Sequence, residues 1–149
     1  MDDDILQVVS SLVGLRCSQA GNPIGSLLTL DFGEMSLPKD PLPKEVPIGW
    51  RVLTVYSPWR VQDEREVLFD WTIDGGAKGI LRSLVKELEG ATVLAAATSP
   101  PAWDLVVRFS NGASLQVFGD DGNGRTQAWF IIGTDGTDVS ARPRARPTV

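Results

Sequence analysis

Apolar residues recur at helical spacing in two stretches of the chain. The first stripe consists of Ile5, Val8, Val9 and Leu12, and the second of Ile80, Leu81, Leu84, Val85 and Leu88. This spacing places each set on one side of a helix, so the pattern predicts helices over Asp4–Val13 and Ala77–Glu89, the second capped by Asp74. Both predicted helices end in Leu-x-Gly, at Gly14 and Gly90, and glycine is the usual residue just after a last helical turn.

A predicted strand follows each predicted helix. Leu28–Gly33 alternates apolar and polar residues, Leu105–Ser110 opens with three apolar residues, and each contains a phenylalanine near its end. Two antiparallel hairpins are also predicted: Leu105–Phe109 with Leu115–Phe118 across an Asn-Gly turn, and Trp50–Val61 with Glu66–Trp71. The resulting elements are mainly antiparallel strands accompanied by two helices.

The order of these elements repeats along the chain. Gly14 aligns with Gly90 at an offset of 76 residues, and Phe32 aligns with Phe109 at an offset of 77. A further match is Trp50–Leu53 with Trp129–Ile132. Chance similarity between two α+β segments is the alternative, but the ordered series favours duplication. The predicted fold class is therefore α+β, an internally duplicated helix-plus-antiparallel-strands unit with two helices and two meander-like strand groups.

The chain length of 149 residues suits one domain. We expect a single α+β domain over residues 1–138, made of two repeats that span about 1–73 and 74–138. Residues 139–149 are rich in arginine and proline and lack apolar periodicity, so they are predicted to form a flexible tail.

The charge of the chain argues against nucleic-acid binding. The chain has 14 basic and 19 acidic residues, which gives a net charge of −5. Three of the arginines lie in the last eight residues. Without those three the balance is 11 to 19, or −8, whereas nucleic-acid binders need cations to neutralise phosphates. The acidic start Asp2-Asp3-Asp4 and the short apolar runs predict neither a signal peptide nor a membrane span, so we expect a cytoplasmic protein.

Residues suited to covalent or metal chemistry are scarce. The chain has no histidine, which excludes serine–histidine and cysteine–histidine catalysis and most zinc sites. Its one cysteine, Cys17, is expected to be a small buried hydrophobe. Ser83 and Lys86 match an S-x-x-K pattern without its companion motifs, and both fit the polar side of the second helix. We expect no catalytic residue, metal ligand or cofactor.

Five tryptophans are the least ordinary feature of the composition. In a small sheet protein most tryptophans are core or half-buried strand residues, and Trp59 and Trp103 are the best surface candidates among the five because prolines precede them and interrupt regular strand pairing. Tryptophan and arginine are enriched at interface hot spots. The predicted binding residues are therefore Trp59, Arg60, Trp103 and Asp104.

The stretch Asp104–Phe118 and the Trp59-Arg60 pair resemble small bacterial proteins of uncharacterised function, some of which are associated with toxin-immunity systems. The resemblance implies a binding role and brings no catalytic residues. The first hypothesis is a non-enzymatic, immunity-like protein-binding module, whose acidic body suits a basic partner such as a nuclease. The alternatives are a small-molecule-binding protein or enzyme with a cleft between the repeats, and a structural subunit without a ligand.

Overall fold

The computed structural model describes residues 2–37, 46–73, 79–119 and 127–143. Helix α1 spans Asp2–Ser10, and helix α2 spans Ile80–Val85 and continues as a 3-10 turn over Lys86–Leu88. The strands are β1 (Cys17–Gly21), β2 (Leu28–Phe32), β3 (Arg51–Val55), β4 (Trp59–Gln62), β5 (Val67–Asp70), β6 (Val93–Thr98), β7 (Leu105–Phe109), β8 (Ser114–Val117), β9 (Trp129–Gly133) and β10 (Asp138–Ala141). The fold is mixed α+β, as predicted. None of the helices among these residues has the length and apolar character needed to cross a bilayer.

The strands form two antiparallel sheets of five strands each. Sheet 1 has the order β1-β2-β3-β9-β10, and sheet 2 has the order β6-β7-β8-β4-β5. The two orders correspond strand by strand. The series β1-β2-β3 in sheet 1 matches β6-β7-β8 in sheet 2, and the hairpin β9-β10 matches β4-β5. Each half of the chain therefore contributes three strands to one sheet and a two-stranded hairpin to the other.

The two halves meet at an isolated antiparallel bridge between Arg16 and Thr92. On either side of this bridge, Gly14 and Gly90 each donate a backbone hydrogen bond of 2.8 Å to the first strand of the other half. Their φ angles are 88° and 90°, a conformation that glycine adopts without a Cβ clash. The two glycines that the sequence aligns thus hold corresponding positions.

One hydrophobic core joins the inward faces of both sheets to both helices. Helix α1 buries Ile5 and Val9 and packs on β6, while α2 buries Leu81 and Val85 and contacts β1. Each helix therefore packs against the first strand of the opposite half. This exchange makes the burial of each half dependent on the other.

Several predicted boundaries are wrong. Helix α1 begins at Asp2 and ends at Ser10, because the chain turns over residues 11–14. Asp74 lies outside the described residues, and the residue that precedes α2 is Gly79. The predicted strand Trp50–Val61 is two strands, β3 and β4, which lie in different sheets. The match of Trp50 to Trp129 fails with it, since Trp59 is the residue that opens the corresponding strand.

The predicted tail also begins too early. Residues 139–141 belong to β10, which pairs with β9 along its whole length. Ala141 is fully buried, and Ala128 donates a backbone hydrogen bond to its carbonyl. β10 forms because the turn before it returns the chain alongside β9. The alternation of apolar and polar residues over 138–141 is too weak to predict that pairing. Residues 144–149 lie outside the described residues.

Candidate functional site

The two tryptophans predicted to lie at the surface are core residues. Trp59 is 0% exposed and donates its indole N–H to the Ser26 carbonyl at 2.9 Å. Trp103 is 2% exposed, and its carbonyl accepts the indole N–H of Trp129 at 2.8 Å. The expectation of exposure is wrong because the neighbouring prolines interrupt strand pairing without turning the rings outward.

Asp104, which was also predicted to bind a partner, is exposed, and its oxygens accept local hydrogen bonds. Its carboxylate accepts the backbone N–H of Gly119 at 2.8 Å, and its carbonyl accepts the Thr98 hydroxyl at 2.7 Å. These bonds tie the start of β7 to the end of β8 and to the end of β6. Asp104 thus has a clear structural role.

Arg60, the fourth predicted residue, lies on the outer side of sheet 2. It alternates with the buried residues Trp59 and Val61 along β4, so its side chain points away from the core. Its Nε donates to Gln62 Oε1 at 2.7 Å, and its guanidinium lies 5.1 Å from the ring centroid of Phe118. Of the four predicted residues, Arg60 is the one that joins a larger polar surface.

This surface consists of two parallel rows of outward-facing residues across β4, β8 and β7. The ladder pairs define the rows as Arg60, Gln116 and Val106, followed by Gln62, Ser114 and Arg108. We call these six residues the arginine face. Arg108 is exposed and the other five are half-buried, so the described part of the chain leaves this face open to solvent.

The two arginines stand on opposite sides of the arginine face. They are two strands and two residues apart, which places their Cα atoms about 12 Å from each other at ordinary sheet spacings. Arg108 makes no ion pair with any described residue. The face therefore offers an arginine without an ion pair to any described residue, together with two side-chain amide groups.

A pocket of about 280 Å³ adjoins the arginine face at the β4–β5 and β7–β8 turns. Its lining includes Gln62, Ser114 and Arg108 of the face, together with Asp63 and Leu94. The Asp63 carboxylate accepts the backbone N–H groups of the two residues that end its own turn, which lowers its pKa. That carboxylate is therefore fixed by the turn.

The corresponding outer face of sheet 1 is less open to solvent. Its six matching positions across β2, β3 and β9 are Thr29, Asp31, Val52, Thr54, Phe130 and Ile132. Asp31, Val52 and Thr54 are at most 9% exposed, whereas the other three are half-buried, like most of the arginine face. Gly49 donates its N–H to Asp31 Oδ2 at 2.9 Å, while burial raises the pKa of that carboxyl. The two outer faces thus differ in exposure at three of their six matching positions.

A second pocket, of about 470 Å³, lies beside β1 and the end of β2. Its lining is Arg16, Ser18, Gly33, Glu34 and Met35. All five belong to the first half, so this pocket is not the cleft between the repeats that was an alternative expectation. Residues of both halves line a pocket of about 370 Å³ between α1 and β10, which includes Asp2, Asp4, Asp138 and Arg142.

Cys17 and Lys86, two of the residues considered above for covalent chemistry, contribute to the packing and hydrogen bonding of the fold. Cys17 is fully buried, as expected, and burial together with nearby carboxylates raises its thiol pKa to about 12. Lys86 donates to the Ala20 carbonyl at 3.2 Å and to Glu89 at 3.1 Å, which ties the end of α2 to β1. Within the described residues, no group of three or more potential metal-ligating side chains occurs.

Sequence patterns alone missed four of the polar members of the arginine face. Gln62, Arg108, Ser114 and Gln116 alternate with apolar residues, so the pattern does indicate that they point outward. It does not indicate that β4 lies beside β8, since these strands come from different halves of the chain. Only the exchange of hairpins between sheets brings them together.

The arginine face combines exposed and half-buried polar side chains with an adjoining pocket. At the positions that correspond to Phe118 and Arg60, sheet 1 carries Tyr56 and Phe130, whose rings lie 5.8 Å apart. Comparisons with protein-family models, with curated proteins and with solved structures find no match to this chain, so the candidate site rests on its geometry.

Proposed function

We propose that this protein is a non-enzymatic, immunity-like protein-binding module that engages its partner through the arginine face. The main support is the difference between the two outer faces: three of the six matching positions of sheet 1 are buried, whereas none of the arginine face is, and five of its six residues are polar. A flat sheet surface that presents arginine and amide groups suits contact with another macromolecule better than it suits enclosure of a small substrate.

Arg60 is the expected hot spot of this interface. Its guanidinium is already held by the bond to Gln62 and by the ring of Phe118. A side chain that is ordered before binding loses less conformational freedom when the complex forms, which increases its contribution to affinity. Truncation of such an arginine typically weakens binding by about 2 kcal/mol or more.

The net charge of −5 supports a partner that is basic overall, as the sequence suggested. An acidic protein attracts a basic partner at long range and speeds their encounter. This steering concerns the whole molecule, and it is separate from the local charge of the surface that finally makes contact. An overall basic partner is therefore compatible with a contact surface that contains arginines.

We also propose that the two halves are copies of one helix-plus-strands unit. The matching strand orders support this, as do bulges at the same place in β1 and β6. Trp59 and Trp129 each open the fourth strand of their half. The indole N–H of Trp59 donates to the Ser26 carbonyl, and that of Trp129 donates to the Trp103 carbonyl. Each accepting residue lies two residues before the second strand of its half. On this proposal, the arginine face is one of two originally equivalent surfaces.

The proposed function is tested by co-purification from source cells, with retained proteins identified by mass spectrometry. Arg60→Ala and Arg108→Ala should each reduce retention of the partner about tenfold or more. Arg82→Ala is the matched control, since Arg82 is an exposed arginine on α2. Full retention by both face variants, or loss in Arg82→Ala alone, would contradict the proposal. A small molecule bound stoichiometrically in the pocket between α1 and β10 would favour the cleft alternative instead.

A further inference from the structure

We infer that the segment of the partner that contacts the arginine face is an acidic, extended polypeptide. This inference rests on the proposed function and adds the chemistry of the contacting segment. The six residues of the face include two cations and no acid. A partner that is basic overall would therefore present an acidic stretch at this point.

The hydrogen-bonding groups of the face are mainly donors. Gln62 uses its amide oxygen to accept from Arg60, so its amide NH₂ is directed elsewhere, and the Arg108 guanidinium is exposed. Gln116 donates to Ser114 Oγ at 3.3 Å, a long bond that a better acceptor would replace. Carboxylates are the protein groups that best satisfy several donors and a guanidinium together.

Among the described residues, three acids border the face: Asp63 and Glu64 line the adjoining pocket with Arg108, and Asp70 is the ladder partner of Arg60 on β5. The Asp63 carboxylate is held by its own turn. Asp70 Oδ1 accepts both the backbone N–H and the hydroxyl of Thr72, so that oxygen is fixed by the turn that follows β5. Asp70 and Arg60 form no ion pair by distance. The positive charge of Arg60 is therefore available to a partner.

The spacing of the arginines favours an extended segment with two acidic residues. Their Cα atoms are about 12 Å apart, too far for one carboxylate to bind both at short range. In an extended chain, residues i and i+4 lie about 13 Å apart and point to the same side. Acids at these two positions match Arg60 and Arg108. Of the three residues between them, the middle one, at i+2, points to the same side and lies over Gln116 and Ser114.

A polypeptide fits this surface better than a nucleic acid does. Val106 lies within the arginine face, and the exposed side chains of Leu68 and Leu94 lie on neighbouring strands. Single-stranded nucleic acids are bound by exposed aromatic platforms and by many cations, whereas this face has two cations on a chain of net charge −5. Apolar side chains beside charged ones are typical of a protein interface.

The inference is tested by titrating the isotope-labelled full chain with synthetic peptides and observing backbone amide shifts by NMR. The probe is a short β-prone peptide with glutamates at i and i+4, and its control has glutamines at both places. The glutamate peptide should shift amides of β4, β7 and β8 and bind about tenfold or more tightly than the glutamine peptide. Added salt should weaken it. A lysine peptide and oligo-dT serve as further probes.

Two variants separate charge recognition from loss of fold. Arg60→Gln combined with Arg108→Gln should abolish the preference for glutamate, and Gln116→Glu should weaken the glutamate peptide while the melting temperature stays near that of the parent. Equal binding of the glutamate and glutamine peptides would refute the inference. Tighter binding of the lysine peptide or of oligo-dT would do the same.

The inference and the proposed function fail in different ways. If Arg60→Ala loses the cellular partner but no glutamate peptide binds, the proposed function stands and the acidic segment is wrong. If the glutamate peptide binds but both face variants retain the cellular partner fully, the proposed function fails instead.

Discussion

Phe32 of β2 and Phe109 of β7 stack across the core, with ring centroids 6.4 Å apart and planes inclined by 15°. Each is the last residue of its strand, and each is at most 2% exposed. The backbone N–H of Gly33 donates to the Arg16 carbonyl, and that of Ser110 donates to the Thr92 carbonyl. Arg16 and Thr92 are the two residues of the bridge between the halves. This ring pair is therefore a direct contact between the two sheets beside the bridge.

The stacked pair should show a measurable coupling energy. Phe32→Ala and Phe109→Ala should each lower the free energy of unfolding by about 3–5 kcal/mol, because each removes a buried ring. The double variant should lose about 0.5–1.5 kcal/mol less than the sum, since the ring–ring contact is lost only once. Urea denaturation followed by tryptophan fluorescence measures all four proteins. Strict additivity would mean that the rings contribute independently.

The fold is predicted best from the sequence where it depends on neighbouring residues. The Asn111-Gly112 turn joins β7 to β8 as predicted, because the chemistry of a short hairpin turn is set locally. The buried positions Ile5 and Val9 of α1 are likewise those of the predicted stripe. The positive φ angles of Gly14 and Gly90 follow from the same kind of local pattern.

The predictions that fail depend on contacts between distant residues. The alternation of inward and outward side chains continues from β3 into β4, although the chain changes sheet between them. The inward residues are Leu53 and Val55 of β3 and Trp59 and Val61 of β4. Nothing in that pattern reveals the change. The arginine face was only partly predictable for the same reason, since Arg60 gains its neighbours Gln116 and Arg108 from the other half of the chain.

Trp59 and Arg60 should respond very differently to truncation. Trp59→Ala should lower the free energy of unfolding by about 3–5 kcal/mol, because the ring is fully buried and packs edge-on against Phe69. Arg60→Ala should change it by less than about 1 kcal/mol, because the side chain is on an open face. Thermal denaturation compares the two, with the exposed Trp71→Ala as control for tryptophan removal. Similar losses for Trp59→Ala and Trp71→Ala would contradict the core assignment.

Cys17 should be unreactive in the native protein. Its side chain is 0% exposed, and burial raises its thiol pKa to about 12, so almost no thiolate is present at neutral pH. Alkylation by iodoacetamide should therefore require unfolding and proceed about 10³-fold or more slowly than in concentrated urea. Mass spectrometry of timed samples measures both rates. Native labelling within about tenfold of the unfolded rate would contradict the buried assignment.

Asp31 gives the protein a pH dependence opposite to that of its hydrogen-bonded surface carboxylates. Burial raises the pKa of Asp31, and the bond from Gly49 offsets this only partly. A raised carboxyl pKa means that Asp31 favours the folded state most at low pH, and this contribution decreases as pH rises through the folded pKa. At Asp135 the Thr137 and Arg51 hydrogen bonds lower the pKa to about 2, so its contribution is present at neutral pH and is lost as pH falls towards that value.

Asp31→Asn should therefore gain stability relative to the parent as pH increases from about 4 to 7. Asparagine keeps an oxygen that accepts the Gly49 N–H, and it avoids the cost of burying a charge at this 9% exposed position. All other carboxyl groups are common to the two proteins, so their titrations cancel in the difference. Asp63→Asn is the control of opposite sign, because hydrogen bonds from the Arg65 and Glu66 backbones lower the Asp63 pKa. This variant should lose relative stability at lower pH, as pH rises from the lowered pKa towards the ordinary aspartate value of about 4, and should change little from there to pH 7. Urea midpoints across the pH series provide the measurement, and a relative loss by Asp31→Asn with rising pH would show that the ionised carboxylate stabilises the fold.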